Sequence, residues 1–199
     1  MAILAGIMIA LGATTYLTVG GLAGALMFAV GLMAVLAFEL KLFTGKAGML
    51  ADGTIGGKEL AAIWGGNLIG CGIAGCIVEM TPVFERIRDA ATAITQTRID
   101  NLWYENIFLG VLCGILMYIA VNGYKATKNI LYAVMPVGAF ILIGANHCVA
   151  DMYYWIVGST NIEMIGAGAL ALLCTTVGNI IGCNVIPAIK RIDYLSSSS

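Results

Sequence analysis

Charge is scarce in this sequence. Asp, Glu, Lys and Arg together make up 11% of its 199 residues, against roughly 25% in soluble domains. That shortage excludes an ordinary water-soluble domain. The charges also nearly cancel, to a formal −1, and no Lys/Arg run or basic patch with interleaved aromatics occurs, so nucleic acid is excluded as a partner. Histidine occurs once and proline three times. A single histidine rules out HExxH, and GxSxG is missing too, so no metal-dependent or serine hydrolase motif is present. The six cysteines, at 71, 76, 113, 148, 174 and 183, lie in apolar segments without CxxC or CxxCH spacing. Neither zinc nor attached haem is indicated, and they read as small hydrophobes in packed helices. No cofactor is expected. No basic region precedes the first apolar stretch, so that stretch reads as a retained span and not as a cleaved signal.

What remains is apolar. Hydrophobic residues reach 60% and glycines number 26, with a mean hydropathy of +0.96. This is the composition of an integral membrane protein, with the lipid bilayer as its solvent. A span needs about 20 apolar residues, and six stretches qualify, near 2–20, 22–44, 60–79, 104–122, 130–157 and 164–189. The fold class expected is therefore all-α, with six transmembrane helices. Between the third and fourth stretches, "TPVFERIRDAATAITQTRIDNLWYEN" mixes polar and apolar residues at helical spacing and reads as a surface helix. Residues 1–195 form one transmembrane channel domain in this reading, and Ser196 to Ser199 a disordered tail or an added scar. With both termini cytoplasmic, the inside loops carry Lys58, Lys125, Lys128, Lys190 and Arg191, against Arg86, Arg88 and Arg98 outside. Loop charge thus favours a multi-pass protein of the cell membrane with cytoplasmic termini.

The chain also repeats itself. "AGIMIALG" in the first stretch is echoed by "LGVLCGIL" in the fourth, and "GNLIG" at 66–70 returns as "GNIIG" at 178–182. Three helices duplicated must give halves of opposite orientation, about 1–80 and 104–190, which is the inverted-repeat plan of many transporters. The second and fifth stretches then correspond, and both are interrupted. "ELKLFTGKAG" crowds two lysines, a threonine and two glycines together, while the fifth carries Pro136, Gly138, Gly144 and the histidine. Backbone freed by a break is tolerated only inside protein or along a wet cavity. Both breaks are expected to meet at a pore.

These motifs, "ELKLFTGKAG", "FLGVLCGILMYIAV", "MPVGAFILIGANHCVADMYY" and "VGNIIG", resemble in order and spacing the formate/nitrite transporter family. The resemblance implies an aquaporin-like protomer in a homopentamer, each subunit with its own pore for small monovalent anions such as formate, nitrite or hydrosulfide. It places His147 at the centre, Thr44 in the second-helix loop and Asn179 close to the histidine. It also implies an outer constriction of Leu42 and Phe43, an inner one of Leu32 and Phe140, an apolar wall at Met117, and Arg98 at the outer vestibule. Family members usually read Glu-Leu-Phe-Thr-Gly-Asn and Glu-His-Ser-Val-Ala-Asn at the two breaks. Here Lys41 and Lys46 flank the first, and Asn146 and Asp151 the second. Gly114 stands where the fourth helix commonly offers an asparagine. No segment precedes the first span, so an N-terminal plug is not expected.

An ionisable residue inside a membrane is functional by default. His147 can donate a hydrogen bond or a proton to an anion, and Thr44 can add a hydroxyl. Asp151 has two possible roles: it pairs with His147 one helical turn away, or with Lys46 or Lys41 across the repeat interface, because a lone buried charge is costly. Two other functions compete with the anion channel. One is an aquaporin-like pore for urea or ammonia/ammonium. The other is an intramembrane enzyme using His147 and Cys148, which the 100° between helical neighbours opposes.

Overall fold

A computed structural model describes residues 1–197, and its described residues form ten helices. Four are long and apolar enough to cross a bilayer: α1 (Ala2–Val19), α5 (Gly57–Glu79), α7 (Trp103–Thr127) and α10 (Ile162–Ser197, apolar over Ile162–Tyr194). Their outer faces carry exposed large apolar side chains, among them Leu11, Ile73, Phe108, Leu112 and Val177. Such a surface suits contact with lipid or with another apolar face. α10 continues to Ser197, within the segment expected as a tail; Ser198 and Ser199 lie outside the described residues.

α1 stops at Gly20 and Gly21, whose φ values of 69° and 55° belong to a region that only glycine enters freely. α2 (Gly21–Met27) and α3 (Ala29–Ala37) follow, joined through Phe28, which keeps right-handed helical angles. The chain then leaves the helix for 38–42 and re-enters it as α4 (Phe43–Ala47). In the second half, α8 (Leu131–Leu142) runs through Pro136, leaves the helix for 143–147 and resumes as α9 (Cys148–Gly158). The non-helical stretch therefore comes well after the proline.

Both stretches begin with the same local device. A residue in the left-handed region, Glu39 (φ 50°) or Gly144 (φ 74°), turns the chain. The next N–H then reaches back five residues, Leu40 to the Val35 carbonyl and Ala145 to the Phe140 carbonyl, each at 2.9 Å. This is a Schellman closure. Glycine enters that conformation without strain, whereas a glutamate there costs about 1–2 kcal/mol.

α6 (Val83–Asp100) is the amphipathic segment between α5 and α7. Ile87, Ala91 and Thr95 recur every four residues on its buried face, as helical periodicity requires. Thr92 and Thr95 hydroxyls donate to the carbonyls of Gly158 and Tyr154 at 2.9 Å, which ties this helix to α9. Across the molecule, α7 and α10 cross at Gly110, Gly114, Gly178 and Gly182, where backbone meets backbone. A β-carbon on Gly114 would lie 2.6 Å from the Asn179 carbonyl oxygen. The asparagine common at that position in the resembling family has no room here. Small residues spaced four apart are the usual means of close helix approach in lipid.

Candidate functional site

Two buried asparagines hold the non-helical stretches. Asn67 Oδ1 accepts the N–H of Phe43 at 2.8 Å, while its Nδ2 donates to the carbonyls of Lys41 and Ala2. Asn179 Oδ1 accepts the N–H of Cys148 at 2.8 Å, while its Nδ2 donates to the carbonyls of Asn146 and Gly110. Each amide therefore satisfies groups that the interruption of a helix releases. The cysteines four residues later cross over to the opposite half. The Cys71 thiol donates to the Val149 carbonyl, and the Cys183 thiol to the Thr44 carbonyl.

The resumed helices α4 and α9 bring Thr44 and His147 together. Thr44 Oγ1 and His147 Nε2 are 3.0 Å apart, and both residues are buried. His147 is also the N-cap of α9, its Nδ1 accepting the Ala150 N–H at 3.1 Å. An accepting Nδ1 carries no proton, so the neutral ring holds its proton on Nε2 and donates it to Thr44. This tautomer follows from the hydrogen-bond network. It leaves the Thr44 hydroxyl hydrogen free for another acceptor. Phe140 stacks on the imidazole with centroids 5.5 Å apart, and Phe28 meets Phe140 edge-on at 5.8 Å.

One cavity reaches His147, and a second is lined by the chain neighbours of Thr44. The first, of about 160 Å³, is lined by His147, Phe140, Arg98, Asp151, Tyr16 and Tyr154 among others. The other, of about 320 Å³, is lined by Leu42, Lys46, Lys125, Lys128, Glu39 and Tyr124 among others. The residues expected at the constrictions are distributed over these cavities, an apolar groove and the core. Phe140 shares its cavity with Arg98, whereas the resemblance had put them on opposite sides. Leu42 faces the lysine cavity, and Phe43 lines a separate apolar groove with Leu60, Trp64 and Leu173. Leu32 and Met117 are buried in the packed core. Phe28, which the sequence did not single out, is the aromatic partner of Phe140.

The charges also pair otherwise than expected. Asp151 Oδ1 lies 3.4 Å from Arg98 Nε, so its partner is neither His147 nor a lysine. Lys41 instead meets Glu59 at 3.1 Å in an exposed pair. Lys46 stays on the wall of the cationic cavity. The physical reason is placement: α6 returns along α9 and delivers Arg98 to the first turn of that helix, while both lysines sit on the α3–α4 side. Asn146 lies behind the histidine, its Nδ2 donating to Asn106 Oδ1 at 2.9 Å and to Thr175 Oγ1 at 3.4 Å. Asn106 in turn donates to the Arg98 carbonyl. Of this buried set, Asn67 was readable from the repeated "GN"; Asn106 and Thr175 carry no local signal. Asn179 touches the backbone on both sides of His147, not its ring.

Known proteins share this architecture. A family model described as formate/nitrite transporter matches residues 1–190. The formate channel FocA of Haemophilus influenzae is 29% identical over 147 residues, covering 66% of this chain and 52% of that protein. The uncharacterized transporter YrhG of Bacillus subtilis is 30% identical over 155 residues, covering 68% of this chain and 57% of that protein. The chain thus spans little more than half the length of the curated relatives it matches. Among solved structures, an FNT family ion channel superposes with a TM-score of 0.79 at 23% identity, covering 93% of this chain and 84% of the other. A pentameric formate channel with formate bound gives 0.78 at 26% identity, covering 98% and 95%. With a family model matched over nearly its whole length, the chain belongs to the formate/nitrite transporter family.

Proposed function

We propose that this protein conducts small monovalent weak-acid anions, of the formate, nitrite or hydrosulfide class, across the cell membrane, passively or with a proton. In this reading the chain makes six spans in two inverted triplets. α2 to α4 form one broken span and α8 with α9 the other, with both termini cytoplasmic. The protomers assemble as homopentamers, as the solved formate channel does. The path runs from the lysine-lined cavity past Leu42, Thr44 and His147 to the cavity of Arg98.

One observation carries the reading: the 3.0 Å contact between Thr44 and His147, each at the start of a resumed helix. An anion leaving water loses several kcal/mol of hydration that fixed donors must replace. Here the Thr44 hydroxyl hydrogen is such a donor, held in place because the imidazole proton occupies its oxygen. The α9 N-terminus adds partial positive charge nearby. Leu42 on one side and Phe28 with Phe140 on the other make the passage tight and weakly binding, which transit demands.

The test is flux into liposomes holding the purified protein, with formate, nitrite, hydrosulfide, chloride, urea and ammonium supplied outside and internal pH followed. Uptake of weak-acid anions that His147→Ala abolishes supports the reading, and the internal pH separates passive from proton-coupled passage. Uptake confined to urea or ammonium overturns it.

A further inference from the structure

The ion pair beside the histidine is only half made. Arg98 presents two parallel donors in the geometry that carboxylates usually engage bidentately. Here a single long contact joins Nε to Asp151 Oδ1 at 3.4 Å. Among the described residues, the Nη groups of Arg98 meet no other side chain or carbonyl. Among the described residues, buried Asp151 Oδ2 has no hydrogen-bond partner within bonding geometry, although the Thr175 hydroxyl also faces this carboxylate. The exposures of the two side chains are 16% and 6%. Both residues line the cavity that His147 and Phe140 also line. A buried carboxylate oxygen short of donors is expensive, so Asp151 Oδ2 can take a further hydrogen bond, next to guanidinium N–H groups that can take an acceptor.

We infer that Arg98 and Asp151 form a recognition station for a small solute offering one acceptor and one donor, such as an undissociated carboxylic acid. The acid's carbonyl oxygen accepts from an Arg98 Nη group, and its O–H donates to Asp151 Oδ2. No bond is broken in this binding. A bare monoanion lacking a proton satisfies Arg98 alone and faces Asp151 as a like charge. The station therefore selects for the protonated form of the solute at this mouth, one step before His147. The opposite mouth gathers Lys46, Lys125 and Lys128 against Glu39 and favours anions as such.

This inference rests on the channel reading, and its test separates the two. Formate uptake is measured in liposomes with formamide or nitrate as competitor. Formamide copies formic acid in shape, with an acceptor and a donor but no ionisation; nitrate is planar and only accepts. In the native protein formamide should compete about tenfold better than nitrate, the effect of one unsatisfied buried group. In Asp151→Asn, which leaves Arg98 unbalanced, the order should shift towards nitrate. Nitrate competing as well as formamide in the native protein overturns the inference. That arm needs no substitution, so misfolding of the variant does not blunt it. If the native protein takes up no formate at all, the channel reading fails by itself. Thermal unfolding of the detergent-solubilised protein then still reads the station: formamide should raise the midpoint more than nitrate, and an equal or reversed order overturns it.

Discussion

Asn67 and Asn179 stand in the same relation to the two interruptions of the chain: each accepts the first N–H of the resumed helix, Phe43 or Cys148, at 2.8 Å and donates to a carbonyl two residues earlier. They come from the two copies of the "GN" motif. A side-chain amide, with one acceptor and two donors, is the smallest group that serves both flanks of such a break.

Replacing either asparagine by alanine leaves the buried N–H of Phe43 or Cys148 and the carbonyl of Lys41 or Asn146 without the amide, while the Ala2 and Gly110 carbonyls keep their bonds within α1 and α7. A loss of about 1–3 kcal/mol per buried group predicts a clear fall in the thermal midpoint of the purified protein for Asn67→Ala and for Asn179→Ala. Asp in either place keeps the acceptor but loses both donors and sets a buried ionisable group against carbonyl oxygens, so its midpoint should also lie well below native. Equal midpoints for all would remove the asparagines from this role.

Gly114→Asn puts back the amide common in the family, yet the β-carbon would meet the Asn179 carbonyl at 2.6 Å. Overpacking of this kind costs about 1–3 kcal/mol, read as reduced thermal stability or failure to assemble. Gly166→Ala, where among the described residues no atom beyond the glycine's own stretch of helix lies within 4 Å of the new carbon, should lower neither.

Thr44→Val keeps the shape of the residue and deletes the hydroxyl facing His147 Nε2. Formate flux in liposomes should fall by about one to two orders of magnitude, from 1–3 kcal/mol of lost hydrogen bonding. Thr44→Ser should retain most of it. Unchanged flux in the valine variant would exclude the hydroxyl as a donor to the solute.

Arg98 and Asp151 should couple in a double-mutant cycle of stability, and Lys46 with Asp151 should not. A contact pair gives an interaction energy of about 0.5–3 kcal/mol, whereas sites without shared partners add independently. Coupling confined to the lysine cycle would contradict the observed pairing.

Neutralising Lys46, Lys125 and Lys128 to glutamine should lower anion uptake at low ionic strength. The deficit should vanish near 1 M salt, where the Debye length is about 3 Å. A deficit independent of salt would point to a packing role for these lysines instead.

Much of the architecture was legible because lipid imposes a simple code. Apolar stretches near 2–20 and 60–79 became α1 and α5 almost to the residue, since a helix in hydrocarbon must satisfy its own backbone. The surface segment was readable as helical from its mixed spacing. That it would carry Arg98 to Asp151, 53 residues away, was not, because several cations were available and only the path of α6 along α9 chooses among them. Glu39 holds a left-handed turn that sequence alone would give to glycine.

The sequence by itself determined that this chain is apolar and helical, with two "GN" motifs and a single imidazole. Those properties are local, encoded in composition and period. Only the tertiary structure decided what the polar groups face: histidine against threonine, aspartate against arginine, leucine and phenylalanine on different cavities. Partners across helices depend on rotation and crossing, and these follow from glycines that let α7 and α10 touch and from hydrogen bonds that span distant parts of the chain.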